Sequence, residues 1–478
     1  MHCLRKLVLI IRDSLPPSVF STSPRISKLA NIVCRLNHEF LPSDIEMAEE
    51  TEQERTEYQE LANYYLGTIA GAHRVFIIQP YIKWGPGKVK NTTPELQLAE
   101  AEALVKTLPR WAVVDKKCVP LLSLQRKKLV GSGGLNELKK RILTADYVTA
   151  VFISTNMLRL VQIAELQKEF ALPVFDRYSI VIHIFRQHAK SPEAKLQVAL
   201  AEIPYIWKKM IESNVDGKIN LEESRKRLLQ GRQGKLKKAL QKVQERRTVV
   251  RQKRRFCGIP SVAIVGYTNC GKTSLIKALT GDLSLMPRNQ LFATLDSTAH
   301  EGLLPSRMKI VYMDTIGFIQ NVPEGLLAPF RVTFQDAIDA DVIVHVVDVS
   351  HPDREAQVDH VRATLKSLLI EDRPVIEIAN KCDLVEKGTI PEDTIAVSAK
   401  NATGVDLLRK KIEEELVRST GQMHIRMRVA SGSEVAAWLY KELTVTNAEP
   451  DSENPQYMYM DVFATELQMH KFKRFLKQ

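Results

Sequence analysis

SVAIVGYTNCGKTSLIKAL, residues 261–279, carries the reading of the fold. Val262, Ala263, Ile264 and Val265 make a short run of small and β-branched apolar residues, suited to a strand buried on both faces. A Gly-x-x-x-x-Gly-Lys-Thr segment follows, and helix-compatible sequence resumes at Ser274. Strand, glycine-bounded loop and helix in that order make a phosphate-binding loop. Gly266 and Gly271 let the backbone turn its N–H groups inward around a diphosphate at a helix N-terminus. Lys272 reaches the β and γ phosphates, and the Thr273 hydroxyl suits magnesium. The loop alone leaves adenine and guanine undecided.

The stretches that follow settle the base. In QLFATLDST, Thr294 stands where a mobile segment can bring a hydroxyl to magnesium and the γ phosphate. MDTIGF (313–318) follows an apolar strand at 310–312; Asp314 can hold magnesium through water, and the Gly317 N–H can meet the γ phosphate. A second apolar strand is expected at 342–347, and a third, 374–379, ends in NKCD (380–383). There the Asp383 carboxylate can accept from N1–H and the N2 amine of guanine, donors that adenine does not present in that arrangement. VSAK (397–400) supplies the Ala399 N–H for guanine O6. Five short motifs in this order specify a GTPase domain with GTP and Mg2+ as its ligands.

Two residues bear on how hydrolysis is controlled. The position after Gly317, where a water-orienting Gln stands in Ras-type GTPases, holds Phe318. An apolar side chain cannot orient water, so intrinsic hydrolysis is expected to be slow and an outside trigger is implied. Asn269, inside the phosphate loop, is a candidate ligand for K+ in place of an arginine finger; the alternative is that it only braces the loop. Cys270 and Cys382 lie within nucleotide motifs and read as small fillers.

Upstream the chain changes character. Between Arg225 and Arg255 stand fourteen cations opposed by Glu245 alone. On a helix longer than about 40 Å, at ~1.5 Å per residue, they make an electrode for a phosphate backbone. A solvated helical face is the alternative, although such faces mix signs to gain i,i+4 pairs. Leu229, Leu236, Leu240, Val243 and Val250 fall at near-heptad spacing on this segment. A preceding helix opens at Ser191-Pro192-Glu193 and carries Leu196, Leu200, Ile203, Trp207 and Met210 on one face, with a kink expected at Pro204. The two read as an antiparallel hairpin.

Earlier still, strands at 74–79, 112–115, 147–153 and 173–175 alternate with helices at 94–108, 135–143 and 158–170, the pattern of a parallel sheet. The glycine-rich turn 131–134 precedes one of these helices and reads as a flexible loop, an anion site at the helix start being the alternative. Residues 39–60 are acidic and polar, a linker by composition. The first 38 residues carry six Lys and Arg against Asp13, with five serines, and resemble a mitochondrial presequence; a basic tail on a cytoplasmic protein is the alternative. After the GTPase motifs, strands at 424–429, 443–447 and 457–463 and helices at 433–442 and 465–476 suggest a small α+β unit, with Tyr457 and Tyr459 read as core aromatics and RNA-stacking aromatics as the alternative.

The whole chain has 478 residues and a net charge of +12, which favours a polyanionic partner. No apolar run approaches the ~20 residues that cross a bilayer. The six cysteines show neither a disulfide framework nor metal spacing and read as reduced thiols. The expected organisation is a presequence-like and linker region (1–55), a parallel α/β domain (56–190), a basic helical hairpin (191–256), the P-loop GTPase domain (257–420) and an α+β domain (421–478), acting as a monomer.

GYTNCGKT, LFATLDST and DTIGF, together with FDRYSIVIHIFRQHAKSPEAKLQVALAEIPY (175–205), resemble the HflX family of translational GTPases, and the basic N-terminus suggests that family's mitochondrial branch. The resemblance spans roughly residues 60–478. It implies binding to the large ribosomal subunit and its rRNA, splitting of ribosomes into subunits, and, for the mitochondrial branch, a part in late large-subunit assembly. Carried over by position, it implies a nucleotide set of Gly266, Tyr267, Thr268, Asn269, Cys270, Gly271, Lys272, Thr273, Ser274, Asp314, Gly317, Asn380, Lys381, Asp383, Ser398, Ala399 and Lys400. Within it, Thr273, Thr294 and Asp314 face the metal, and Lys272, Thr294, Gly317 and Asn269 face the reacting phosphate. The glycine-rich stretch between the hairpin helices of bacterial members is replaced here by SNVDGKINLEESRKR (213–227). A tRNA-modification-type GTPase and a GTP-regulated RNA-binding scaffold are the rival readings.

Overall fold

The computed structural model describes residues 51–67, 72–85, 88, 91–213, 219–256, 259–320, 326, 328–330, 334, 338–368, 373–386, 388, 390–391 and 394–476. The presequence-like residues and the hairpin tip at 214–218 lie outside them.

The acidic stretch read as a linker contains a helix, α1 (Glu52–Leu66). Thr51 caps it reciprocally with Glu54, and Tyr58, Leu61, Ala62 and Leu66 are buried beneath it. Composition misled because the apolar residues are few but share one face.

β1 (Arg74–Ile82), α2 (Pro94–Thr107), β2 (Ala112–Leu121), α3 (Ser132–Thr144), β3 (Ala150–Ile153), α4 (Leu160–Phe170) and β4 (Val174–Asp176) follow. They form a parallel sheet in the order β2-β1-β3-β4. Gly131 caps α3, and Ser132, Gly133 and Gly134 form its first turn, so the glycine run is helical and not a flexible loop. Sequence periodicity shows no sign of α5 (Arg177–His188), because residues 177–185 are buried on every side and neither a 2.0 nor a 3.6 period survives. Asp176 caps α5 through the Ser179 N–H (2.9 Å).

The hairpin consists of α6 (Pro192–Ser213) and α7 (Ile219–Phe256). α6 contacts α1, α4, α5, α7 and the 3-10 turn Ala328–Phe330, so it is buried almost all round and not on one face. The helix continues through Pro204 without interruption. On α7, Leu229, Leu236 and Leu240 are buried, whereas Val250 is exposed.

The second sheet is built from β5 (Ser261–Gly266), β6 (Thr298–Leu303), β7 (Lys309–Asp314), β8 (Val342–Asp348), β9 (Val375–Asn380) and β10 (Ile395–Val397), with α8 (Lys272–Thr280), α9 (Arg354–Leu368) and α10 (Val405–Thr420) between them. Its order is β10-β9-β8-β5-β7-β6, parallel except for the β6–β7 pair. β5 is central and wholly buried, so the phosphate loop leaves the carboxyl edge of the sheet where the strand order reverses, the site at which open α/β sheets bind ligands. One hydrophobic core runs from Leu61 and Phe152 through Tyr205 to Val265, Phe318 and Phe330, joining the first sheet's helices to the second.

A third, antiparallel sheet, β11 (Met423–Ala430), β13 (Tyr457–Ala464) and β12 (Thr444–Pro450), packs on α11 (Glu434–Glu442) and α12 (Glu466–Phe475). Met460 is buried on the helix side, while Tyr457 is 37% exposed on the other. Arg428 and Arg426 lie over the Tyr457 and Tyr459 rings, 4.6 and 5.0 Å from the centroids. The tyrosines are therefore not core aromatics: strand alternation sends the methionines in and the tyrosines out.

Candidate nucleotide site

Gly271 holds the phosphate loop's turn into α8, with φ +96°, and a Cβ there would meet Asn380 Nδ2 at 2.5 Å. Only glycine allows both that backbone conformation and that approach. Asn380 Nδ2 in turn donates to the Cys270 carbonyl (2.8 Å), and Asn380 Oδ1 accepts from the Ala399 N–H (3.2 Å). Lys381 Nζ donates to the Asn269 carbonyl (3.0 Å) and pairs with Asp348 (2.6 Å). Ser398 Oγ donates to Asp383 Oδ1 (2.7 Å), fixing the carboxylate while leaving Asp383 exposed at the mouth. The NKCD and VSAK motifs are thus tied to the phosphate loop and to each other. Lys400 is exposed at the rim.

Lys272 is buried and folds back along the loop, donating to the carbonyls of Tyr267 (2.8 Å) and Gly266 (3.3 Å). Thr268, Asn269, Gly271, Lys272, Thr273, Ser274, Thr294 and Gly317 line one cleft with Pro287, Arg288, Gln290, Phe292 and Ala293. At its floor three oxygens meet: Thr273 Oγ1 donates to Asp314 Oδ2 (2.7 Å), Thr294 Oγ1 to the same oxygen (3.1 Å), and the two hydroxyls are 3.1 Å apart. Asp314 is 1% exposed and its Oδ1 has no partner. Burial pushes its carboxyl above the ordinary range, although the Thr273 hydroxyl and Lys272 pull the other way. An orphaned buried carboxylate oxygen among hard hydroxyl donors fits Mg2+. Among the described residues no group of three or more His, Cys, Asp or Glu forms a softer metal site.

The segment around Gly317 is zipped to the phosphate loop. The Phe318 N–H donates to the Gly266 carbonyl (3.1 Å) and the Thr268 N–H to the Phe318 carbonyl (2.8 Å). The Phe318 side chain is buried, stacked on Phe334 with ring centroids 5.0 Å apart, and offers nothing to a water molecule. The Asn269 side chain donates to Asn289 Oδ1 (2.8 Å), a partner that no motif announces.

Sequence reading also missed what holds the segment containing Thr294. His188 Nδ1 bonds the Phe292 carbonyl (2.7 Å), Ser191 N donates to Asp296 (3.2 Å), and Arg247 donates to Ser297 Oγ (3.1 Å) while pairing with Glu193 (2.7 Å). Since a carbonyl only accepts, the Nδ1 of His188 carries the proton. Phe185 of α5 meets Phe292 edge-on at 4.8 Å. Only Ser191, in its capping motif, carried a local signal. The free thiols of Cys118, Cys270 and Cys382 take no part in the cleft's polar contacts described above.

Residues 261–381 match the family of 50S ribosome-binding GTPases, and residues 95–186 match that of GTP-binding GTPase N-terminal domains. Putative GTP-binding protein 6 of Xenopus laevis is 39% identical over 83% of this chain and 78% of its own length. GTPase HflX of Caldanaerobacter subterraneus subsp. tengcongensis is 33% identical over 67% of this chain and 79% of its own. A GTP-binding protein from Sulfolobus solfataricus, solved with GDP, is 24% identical, covers 72% of this chain and 99% of its own, and superposes with a TM-score of 0.38. By the extent of these sequence relationships, the chain belongs to the HflX family of GTPases, in the same lineage as the proteins called GTP-binding protein 6.

Proposed function

We propose that this GTPase acts on the large subunit of the mitochondrial ribosome, where GTP sets a conformation that splits ribosomes into subunits or serves late subunit assembly. One observation carries the reading: the segment around Thr294 is bonded to α5, to the start of α6 and to α7 through His188, Ser191 and Arg247. The γ phosphate can thereby bias a long basic hairpin, which is the element suited to reach rRNA. The matched family of 50S ribosome-binding GTPases supports the choice of partner. The acid-poor N-terminal 38 residues support import into the mitochondrial matrix.

In this reading the phosphates lie along the loop from Gly266 to Thr273, Lys272 neutralises the β and γ oxygens, and Asp383 and Ala399 read guanine. Thr273, Thr294 and Asp314 hold Mg2+, which when bound supplies charge neutralisation at the same phosphate oxygens. The Gly317 N–H meets the γ phosphate. Because Phe318 cannot orient water, turnover awaits the large subunit. Asn269 takes the K+ role if turnover is faster in potassium than in sodium; equal rates assign it to bracing Asn289 alone.

The test is sedimentation of organellar ribosomes with the protein and either GTP or a non-hydrolysable analogue. Loss of the monosome peak is expected. A monosome peak that survives, with no binding to isolated large subunits, refutes the proposal.

A further inference from the structure

Away from the cleft, Tyr267 and Arg177, bridged by Glu100, hold the backbone N–H and C=O of a single residue, Gln320. The Gln320 N–H donates to the Tyr267 hydroxyl (2.8 Å), and that hydroxyl donates to Glu100 Oε2 (2.8 Å). Arg177 pairs with Glu100 Oε1 and donates to the Gln320 carbonyl (3.0 Å). These four bonds close a ring through Gln320, Tyr267, Glu100 and Arg177. Tyr267 comes from the phosphate loop, Glu100 from α2 and Arg177 from the first turn of α5. Arg177 is 3% exposed, and burial draws its guanidinium down to about 10. A cation so enclosed depends on its carboxylate and carbonyl partners.

The ring lies in line with the zip at Phe318. Gly266, Thr268 and Tyr267 bond in succession to Phe318 N–H, Phe318 carbonyl and Gln320 N–H, so the whole segment from Gly317 is laced to the phosphate loop. Gly317 can rise or withdraw only if the Gln320 backbone moves with it. The Gln320 residue has both its backbone polar groups committed, the N–H to the phosphate loop and the C=O to α5.

We infer that Glu100, Arg177 and Tyr267 are positioning residues for GTP hydrolysis, whose ring through the Gln320 backbone sets the placement of Gly317 and makes the seating of α2 and α5 depend on the nucleotide. The inference rests on the GTPase activity and not on the ribosomal reading. None of the three touches a phosphate through its side chain. Each acts through the backbone of the segment that does.

The test uses the full chain and variants outside the cleft: Glu100→Gln, Arg177→Ala, Arg177→Lys and the double variant Glu100→Gln with Arg177→Ala. Glu100→Gln and Arg177→Ala are expected to lower kcat for GTP about tenfold, with KM and GDP affinity within about twofold of the parent. Arg177→Lys keeps the charge, reaches one of the two acceptors, and recovers part of the rate. The double variant is no slower than Arg177→Ala, because an open ring cannot be opened again. Hydrogen exchange of α2 and α5 differs between GDP and a non-hydrolysable GTP analogue in the parent, and that difference vanishes in the variants. Unchanged kcat in folded Glu100→Gln overturns the inference, and so does a parallel fall of kcat, GDP affinity and thermal midpoint, which marks the ring as structural. Should Arg177→Ala not fold, Glu100→Gln decides alone, since it removes charge at constant size.

Discussion

Gly317→Ala perturbs the site by one methyl group in a place with no room for it. A Cβ at this position would stand 2.8 Å from both Cα and Cγ2 of Thr268 and 3.0 Å from Lys272 Nζ. The lysine tip and the threonine methyl can swing aside, but the Thr268 Cα is backbone. Carbon atoms in ordinary contact are about 3.5–4.0 Å apart, so the Gly317 segment must withdraw by roughly an ångström. That shift breaks the Phe318 N–H bond to Gly266 (3.1 Å) and the Thr268 N–H bond to Phe318 (2.8 Å). At about 0.5–1.5 kcal/mol each, the two bonds amount to about 1–3 kcal/mol, or a loss of ~5- to 150-fold in turnover. Under the proposed assignment the diphosphate lies along Gly266 to Thr273 and Gly317 meets only the γ phosphate, so GDP affinity is expected to hold. Single-turnover GTP hydrolysis with fluorescent-GDP titration reads both quantities. Turnover within twofold of the parent would show that the zip at Phe318 does not govern hydrolysis, and an equal loss of GDP affinity would show that it merely props the loop.

Asp383→Asn should cost GDP affinity about 2–4 kcal/mol, ~30- to 1,000-fold, the lower part of the range for two bonds to a carboxylate because Asp383 is exposed; binding of xanthosine diphosphate should rise in the same titration, and no change in preference removes Asp383 from base reading. Replacing Lys237 and Lys238, both exposed on α7, should weaken binding to large subunits and lower the log–log salt slope by about one per contacting charge, whereas Arg251→Ala, which removes an ion pair to Asp339, should lower thermal stability instead. His183 is held down to about 3 by burial and donates through Nε2 to the Leu66 carbonyl (3.0 Å). Its folded pKa lies below the unfolded one, so the unfolded chain takes the proton first; stability should fall below about pH 6.5 by ~1.4 kcal/mol per pH unit, and urea unfolding of His183→Gln should show a flatter profile over that window.

What the sequence disclosed and what it hid divide along a physical line. A phosphate cradle needs consecutive backbone N–H groups, and a guanine reader needs a carboxylate at the end of a strand, so each motif from Gly266 to Lys400 is local and legible. Their mutual bonds, such as Asn380 to Cys270, follow from the sheet that brings strand ends together. α1 and α5 were hidden for opposite reasons. The first buries four residues within an acidic run, and the second is buried on all sides and so shows no period. Glu100, Arg177 and Tyr267 carry no local signal, being 77 and 167 residues apart along their two bonds.

The basic helix shows how a charge pattern can be read on the wrong face. Leu229, Leu236 and Leu240 form a buried seam on α7, and the apolar repeat fades after Val243. The seam itself does not end there. Arg247 and Arg251, one and two turns further on, continue it with Glu193, Ser297 and Asp339 as their partners. Earlier on the same helix Arg232 lies over the Tyr58 ring, 3.8 Å from its centroid, and Lys235 pairs with Glu54 at 3.0 Å. These cations replace leucines where the opposing surface is carboxylate, hydroxyl or aromatic. The electrode for a polyanion is therefore thinner than fourteen charges suggest, and it must be the stripe that includes Lys237 and Lys238. The inward stripe has a different task. Through Arg247 it ties the hairpin to Ser297, three residues past Thr294, so the element suited to rRNA and the segment suited to the γ phosphate share one side chain.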